Sequence, residues 1–188
     1  MYNLDAFISD VGQVVKSEQN TWALTDKVKV LLSKFILEGE IDEKYCEPPE
    51  NPKGVALHPV LVAEDGSYMI ETVVLPAVLD APLHDHGGVW SMIGCLKGKL
   101  YQPAYRRVDD GSKPGYCELA LHEEAILEKG DVAVLPPHRD IHTVINLSGD
   151  WAVMLNVYGG DLSKVKRHWY FLKEKRMEEF QSLSPMKD

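Results

Sequence analysis

Across residues 2–37, apolar positions recur at intervals of three and four: Leu4, Phe7, Ile8, Val11, Val14 and Val15, then Val28, Leu31, Leu32 and Phe35. That spacing lays an apolar stripe along a helix, and the segment predicts two of them. Residues 46–54, CEPPENPKG, end the pattern. Proline has no backbone N–H to continue a helix, so this stretch reads as a connector. Beyond it the period changes to short runs rich in Val, Ile, Leu and Tyr. They are separated by the turn signals Glu64-Asp65-Gly66, Asp109-Asp110-Gly111, Lys129-Gly130-Asp131 and Ser148-Gly149-Asp150. Such runs are strands, and through Gly160 no helical period interrupts them, which predicts an antiparallel sandwich or barrel such as a jelly roll. Residues 162–181 mix charges with Val165, Trp169, Phe171, Leu172 and Phe180 and predict a strand edge followed by an amphipathic helix. The chain thus divides into an N-terminal helical segment (1–50), a β core (55–160) and a C-terminal segment (162–188). At 188 residues all three fit one domain.

Composition narrows the function classes. A hydrophobic fraction of 45% with 26% charged residues is that of a globular protein. The formal net charge of -9 disfavours a surface that tracks phosphates, so nucleic acid is not an expected partner. The three cysteines, Cys46, Cys95 and Cys117, form no CxxC pair and read as reduced thiols. No run approaches the roughly 20 apolar residues of a membrane span, and the N-terminus lacks the basic start and apolar stretch of an export signal. The expected compartment is the cytoplasm, with no membrane partner.

The chemistry lies in two segments. PLHDHGGVW places His84 and His86 two apart, so on extended backbone both imidazoles leave the same face while Asp85 points the other way. GDVAVLPPHRDIHTVIN supplies His142 after a Pro-Pro turn. Together they predict three neutral nitrogen donors for one divalent ion. His58, His122, His138 and His168 stand in no such pattern and read as ordinary polar residues.

These segments resemble the paired motifs of the cupin superfamily. Ser91 takes the position of the first motif's acidic ligand and Gly98 that of its glycine. Gly130, Pro136, His142 and Asn146 follow the second motif with one extra residue before the histidine. The stretches HDHGGVW, YRRVDDGSKPG, GDVAVLPP, DIHTVIN and VYGGDL further resemble the bacterial branch of the thiol dioxygenases, the family of cysteine dioxygenase and 3-mercaptopropionate dioxygenase. The resemblance implies a mainly β fold, the cupin double-stranded β-helix or jelly roll, with N-terminal helices and a C-terminal helical segment. It implies one Fe(2+) on His84, His86 and His142, and dioxygen converting a small anionic thiol to a sulfinate. It also gives Tyr158 the role of orienting oxygen or substrate, and Arg167 that of pairing with the substrate carboxylate.

Two departures bear on this. Met154 and Asn156 stand where the family has a serine and a histidine forming a relay to the tyrosine hydroxyl. Asn156 can still hydrogen-bond in the substrate site but cannot titrate, and Met154 is at most a weak acceptor. The arginine of cysteine dioxygenase has no counterpart at residues 58–61, and Ser91 excludes the cysteine–tyrosine crosslink of some animal enzymes. Three neutral ligands leave a divalent ion its full charge, which favours an anionic substrate atom. Of Arg106 and Arg107, alternation sends one inward; Trp90 and Met92 belong to the pocket wall or to the core; Asp85 and Asn146 are expected to brace the ligands. Two other functions fit the same motifs. One is a metal-dependent cupin acting on another chelating substrate, as a C–C cleaving dioxygenase, isomerase or lyase; the other is a non-catalytic binding module. The expected assembly is a monomer or homodimer.

Overall fold

A computed structural model describes residues 2–77 and 81–182. Two helices open the chain, α1 (Leu4–Ser17) and α2 (Thr21–Glu38). Each starts on an asparagine whose side chain accepts from the backbone three residues on: Asn3 from Ala6 N and Asn20 from Ala23 N. The stripe seen in the sequence is the buried one. Phe7 and Val11 of α1 pack on Val28, Leu32, Phe35 and Ile36 of α2, with the Phe7 and Phe35 rings stacked at 4.8 Å. Burying each such large side chain contributes about 1.5–3 kcal/mol.

Eleven strands follow among the described residues: β1 (Ala56–Val62), β2 (Met69–Leu75), β3 (Ser91–Lys97), β4 (Leu100–Arg107), β5 (Leu119–Leu127), β6 (Val132–Leu135), β7 (Ile141–His142), β8 (Ile145–Asn146), β9 (Ala152–Tyr158), β10 (Lys166–Phe171) and β11 (Arg176–Gln181). One sheet has the order β1-β2-β9-β3-β6, every pair antiparallel. The other pairs β5, β7 and β8 with β4. Val73, Leu75, Ile93, Leu100, Leu127, Leu135, Val144 and Met154 form one core cluster between them. This is the jelly roll that the motifs imply.

The middle of the first sheet is buried on both faces, and all seven residues of β2 and of β9 are buried. Ile70, Leu155 and Val157 join the helix-facing core with Trp90 and Met92, whereas Val73, Leu75 and Met154 face the second sheet. Trp90 and Met92 are therefore core, not pocket wall. Gly94 of β3 lets α2 come close, because a Cβ there would lie 2.5 Å from Ile36 Cδ1.

The C-terminal segment departs from the sequence expectation: β10 and β11 form a hairpin, and no helix follows β10 among the described residues. Alternation across the hairpin explains it. Trp169 and Phe180 stack at 4.0 Å, and Lys166 pairs with Glu179. The turn between the strands carries no glycine; Lys175 adopts a φ of 49° in its place. No helix among the described residues is long and apolar enough to cross a membrane.

Candidate metal centre

The triad is assembled by backbone pairing. His84 N–H donates to His142 O at 3.0 Å and His142 N–H to His84 O at 2.9 Å. The two residues are direct antiparallel partners, so their side chains share a face. His86, two positions on, joins the same cluster, with ring centroids 5.2 Å from His84 and 5.0 Å from His142. One donor atom from each ring lies within 4.8 Å of the others.

Each Nδ1 has a neighbour that turns the opposite nitrogen toward the centre. His84 Nδ1 lies 2.7 Å from Pro82 O, and His86 Nδ1 lies 2.9 Å from Ser91 Oγ. Gln102 Nε2 lies 3.4 Å from His142 Nδ1, and turning that amide over would bring its unpartnered Oε1 to the same place. Ligation through Nε2 puts the imidazole proton on Nδ1, where all three neighbours can accept it. Among the described residues His142 Nε2 is buried without a hydrogen-bond partner, which leaves its lone pair for a metal-ligand bond. Burial, and then Arg167, pushes His84 down to about 4; burial, with neighbouring histidines and Arg167, holds His86 and His142 well below the usual range. All three are neutral donors at pH 7. The residues present fit a divalent metal.

The triad opens into a cavity of about 260 Å³ whose walls include Val73, Leu75, Ile93 and Val144. Tyr158, Asn156 and Arg167 also line it. The Tyr158 ring is 5.3 Å from that of His86. Asn156 Nδ2 donates to the Tyr158 hydroxyl at 2.9 Å, and the hydroxyl donates to Glu71 Oε1, also at 2.9 Å. Sequence reasoning missed Glu71. It is the cross-strand partner of Asn156, buried on β2, and burial pushes its carboxyl up from the usual range. Its signal was a lone acid inside the apolar run MIETVVL.

Arg167 of β10 is held at two points: Nε donates to Asp85 O at 2.9 Å and Nη1 to Ser182 Oγ at 2.8 Å. No carboxylate lies within ion-pair distance of it among the described residues. Asp85 turns away from the triad, as alternation requires, and anchors β10 by accepting from His168 N, His168 Nδ1 and the Tyr170 hydroxyl. Neither it nor Asn146 touches the ligand rings, contrary to expectation. Asn146 instead secures a turn, donating to Leu75 O and Asp150 O. The residues beside the rings are Ser91, Gln102 and Pro82. Arg107 pairs with Asp109 and Arg106 is exposed, so neither arginine enters the cavity. His58, half-buried with its Nε2 2.8 Å from Glu47 O, and His122, exposed, both lie outside the triad.

No protein-family model and no curated protein sequence matches the chain. Solved structures do match. An oxalate oxidase in complex with the substrate analogue glycolate is 20% identical, with a TM-score of 0.49, over 66% of this chain and 60% of that one. The cupin domain of Schizosaccharomyces pombe Cnp3 is 12% identical, with a TM-score of 0.45, over 57% of this chain and 61% of that one. An uncharacterised Klebsiella pneumoniae protein with a double-stranded β-helix domain is 14% identical, with a TM-score of 0.47, over 70% and 97%. The match thus spans less than two thirds of the oxalate oxidase and Cnp3 chains. These are likenesses of fold at low identity; the histidine triad stands on this chain's own geometry.

Proposed function

We propose that this protein is a mononuclear metalloenzyme that oxidises a small anionic thiol of the 3-mercaptopropionate kind to its sulfinate. Both oxygen atoms of one dioxygen add to sulfur, so no other co-substrate is needed. The observation that carries this reading is Arg167, a half-buried guanidinium lining the same cavity as the triad, with no carboxylate partner among the described residues. Burying an unpaired charge is costly, and the cost is recovered when a ligand supplies the anion. The cavity, at about 260 Å³, suits a ligand of few atoms.

His84, His86 and His142 would hold the ion, and Fe(2+) is the proposed one. When bound, it supplies a +2 charge undiminished by its ligands and open positions for sulfur and dioxygen. The chain's own groups do the rest. Arg167 fixes the substrate carboxylate, because Nη2 makes no hydrogen bond to the described residues. Tyr158, locked between Asn156 and Glu71, fixes one wall over His86. The aliphatic side chains exclude water around the reacting sulfur.

Glu71 favours a second reading. A buried carboxylate beside a tyrosine suits proton transfer on a chelating carbonyl substrate, in C–C cleavage, isomerisation or lyase chemistry. The test is anaerobic loading with ferrous iron, then oxygen uptake with 3-mercaptopropionate, cysteine, cysteamine and a diketone. Uptake with 3-mercaptopropionate, sulfinate product and little response to cysteamine, which lacks the carboxylate, is expected. Loaded protein that consumes oxygen with no thiol refutes the first reading, and turnover of the diketone selects the second.

A further inference from the structure

Resting on the thiol reading, we infer that Glu71 is the proton acceptor that turns the entering thiol into a thiolate. At pH 7 an alkyl thiol is protonated, its pKa being about 8.5 in cysteine. The nucleophilic and ligating form is the thiolate, so a proton must leave as sulfur enters a largely apolar cavity. The side chains facing that space are few. The three histidines would give Nε2 to the ion and would then carry their protons on Nδ1, beside Pro82, Ser91 and Gln102. Arg167 has no acceptor, and the one Tyr158 proton already goes to Glu71 Oε1. Asn156 does not titrate, and Pro59, which pairs with Glu71 from β1, brings no ionisable group. Glu71 Oε2 remains, a carboxylate oxygen that receives no hydrogen bond from the described residues and belongs to a side chain lining the cavity.

The step balances within the cavity. The S–H bond breaks, its electron pair stays on sulfur, and the proton forms an O–H bond on Glu71. Binding itself drives the transfer. Burial disfavours the ionised form of Glu71; the Tyr158 hydrogen bond, and after it the Arg167 charge, favours it. When the substrate carboxylate pairs with Arg167, the arginine's share of that support is cancelled and the proton affinity of Glu71 rises. Ionised Glu71 thus offsets part of the Arg167 charge only until the substrate carboxylate takes over that role.

The consequence is a proton count. Zinc-loaded protein, which cannot turn over, is titrated with 3-mercaptopropionate at about pH 6.5 in two buffers of different ionisation enthalpy, and the heats give protons released per ligand bound. The expected result is close to zero for the native protein and for Tyr158→Phe, and close to one for Glu71→Gln. Propionate, having no thiol, releases none in any form. A native value near one overturns the inference whether or not the Glu71→Gln protein folds, and so does a Tyr158→Phe value near one, which would make the tyrosine the acceptor. Binding with one proton released leaves the thiol reading standing without Glu71. Absence of thiol binding to the zinc-loaded protein removes the thiol reading, and this role of Glu71 with it.

Discussion

Replacing Ser91 by alanine tests whether the triad is built for Nε2 ligation. Ser91 and His86 are both buried, with Oγ 2.9 Å from Nδ1. In the metal-bound tautomer Nδ1 carries the proton, and alanine leaves that N–H without an acceptor. The nearest carboxylate oxygen, Asp140 Oδ2, is 3.7 Å away, beyond hydrogen-bond length, and already accepts from His86 N at 2.6 Å. An unsatisfied buried donor costs about 1–3 kcal/mol. At about 1.4 kcal/mol per decade, metal affinity should fall about 5- to 150-fold, the range in which loss of such outer partners ordinarily lies. The metal-free protein should lose less stability, because an uncharged imidazole is free to carry its proton on Nε2 instead. The assay is competition for zinc against a chromophoric chelator, with circular dichroism to verify the fold. Asn146→Ala is the control: it removes three backbone contacts far from the rings, so it should lower stability and spare affinity. Ser91→Ala protein binding zinc within twofold of native, or Asn146→Ala losing as much affinity, would refute the reasoning.

Arg167→Met should raise the KM for 3-mercaptopropionate about 10- to 100-fold, the worth of a charge-assisted pair of about 1.5–3 kcal/mol, with metal content unchanged by elemental analysis. The metal-free protein should lose stability as pH falls from about 6.5 toward about 4. His84 is neutral when folded, with its pKa lowered to about 4 from 6.5, so the unfolded chain binds protons first on acidification. Urea denaturation at successive pH values measures this, and a flat profile over that window contradicts it. Zinc should steepen the loss, since protons then compete with the ion. Gly159→Ala should cost about 1–3 kcal/mol by overpacking, because a Cβ there would lie 2.2 Å from Trp90 Nε1; thermal unfolding reads it, and an unchanged midpoint would show that the ring can move.

The histidines were legible because a strand's period of two makes HxH a statement about faces, whatever the strand's partners. The helices were legible through their stripe, which survives even though α2 buries both a polar Thr25 and its apolar row. Glu71 was not legible. Its strand is buried on both faces, so MIETVVL alternates in no visible way and the inward position of the acid appears only once β2 is paired with β9. The partners of the ligand rings escaped for a similar reason. Ser91 is near His86 in sequence, but Gln102 reaches His142 from β4, forty positions away. The C-terminal hairpin was misread because Lys175 supplies the left-handed turn residue that sequence reasoning seeks in glycine or asparagine.

Ser91 and Glu71 together explain why this cavity differs from one whose metal has an acidic ligand. A carboxylate at the Ser91 position would neutralise one charge of the ion and hold that charge permanently. Here the carboxylate stands on β2, hydrogen-bonded to Tyr158, and the ion keeps all of its charge. An ion there, Arg167 and ionised Glu71 would sum to a net charge of two positive units, which a monoanionic ligand reduces to one. Moving the thiol proton to Glu71 would leave that total unchanged, since the proton stays in the cavity and the molecule that enters carries only one negative charge from water. Desolvating one charge is far cheaper than desolvating two. On the proposed thiol chemistry, an acid placed beside the tyrosine, and withheld from the ion, would therefore let a ligand enter as a monoanion and bind as a dianion.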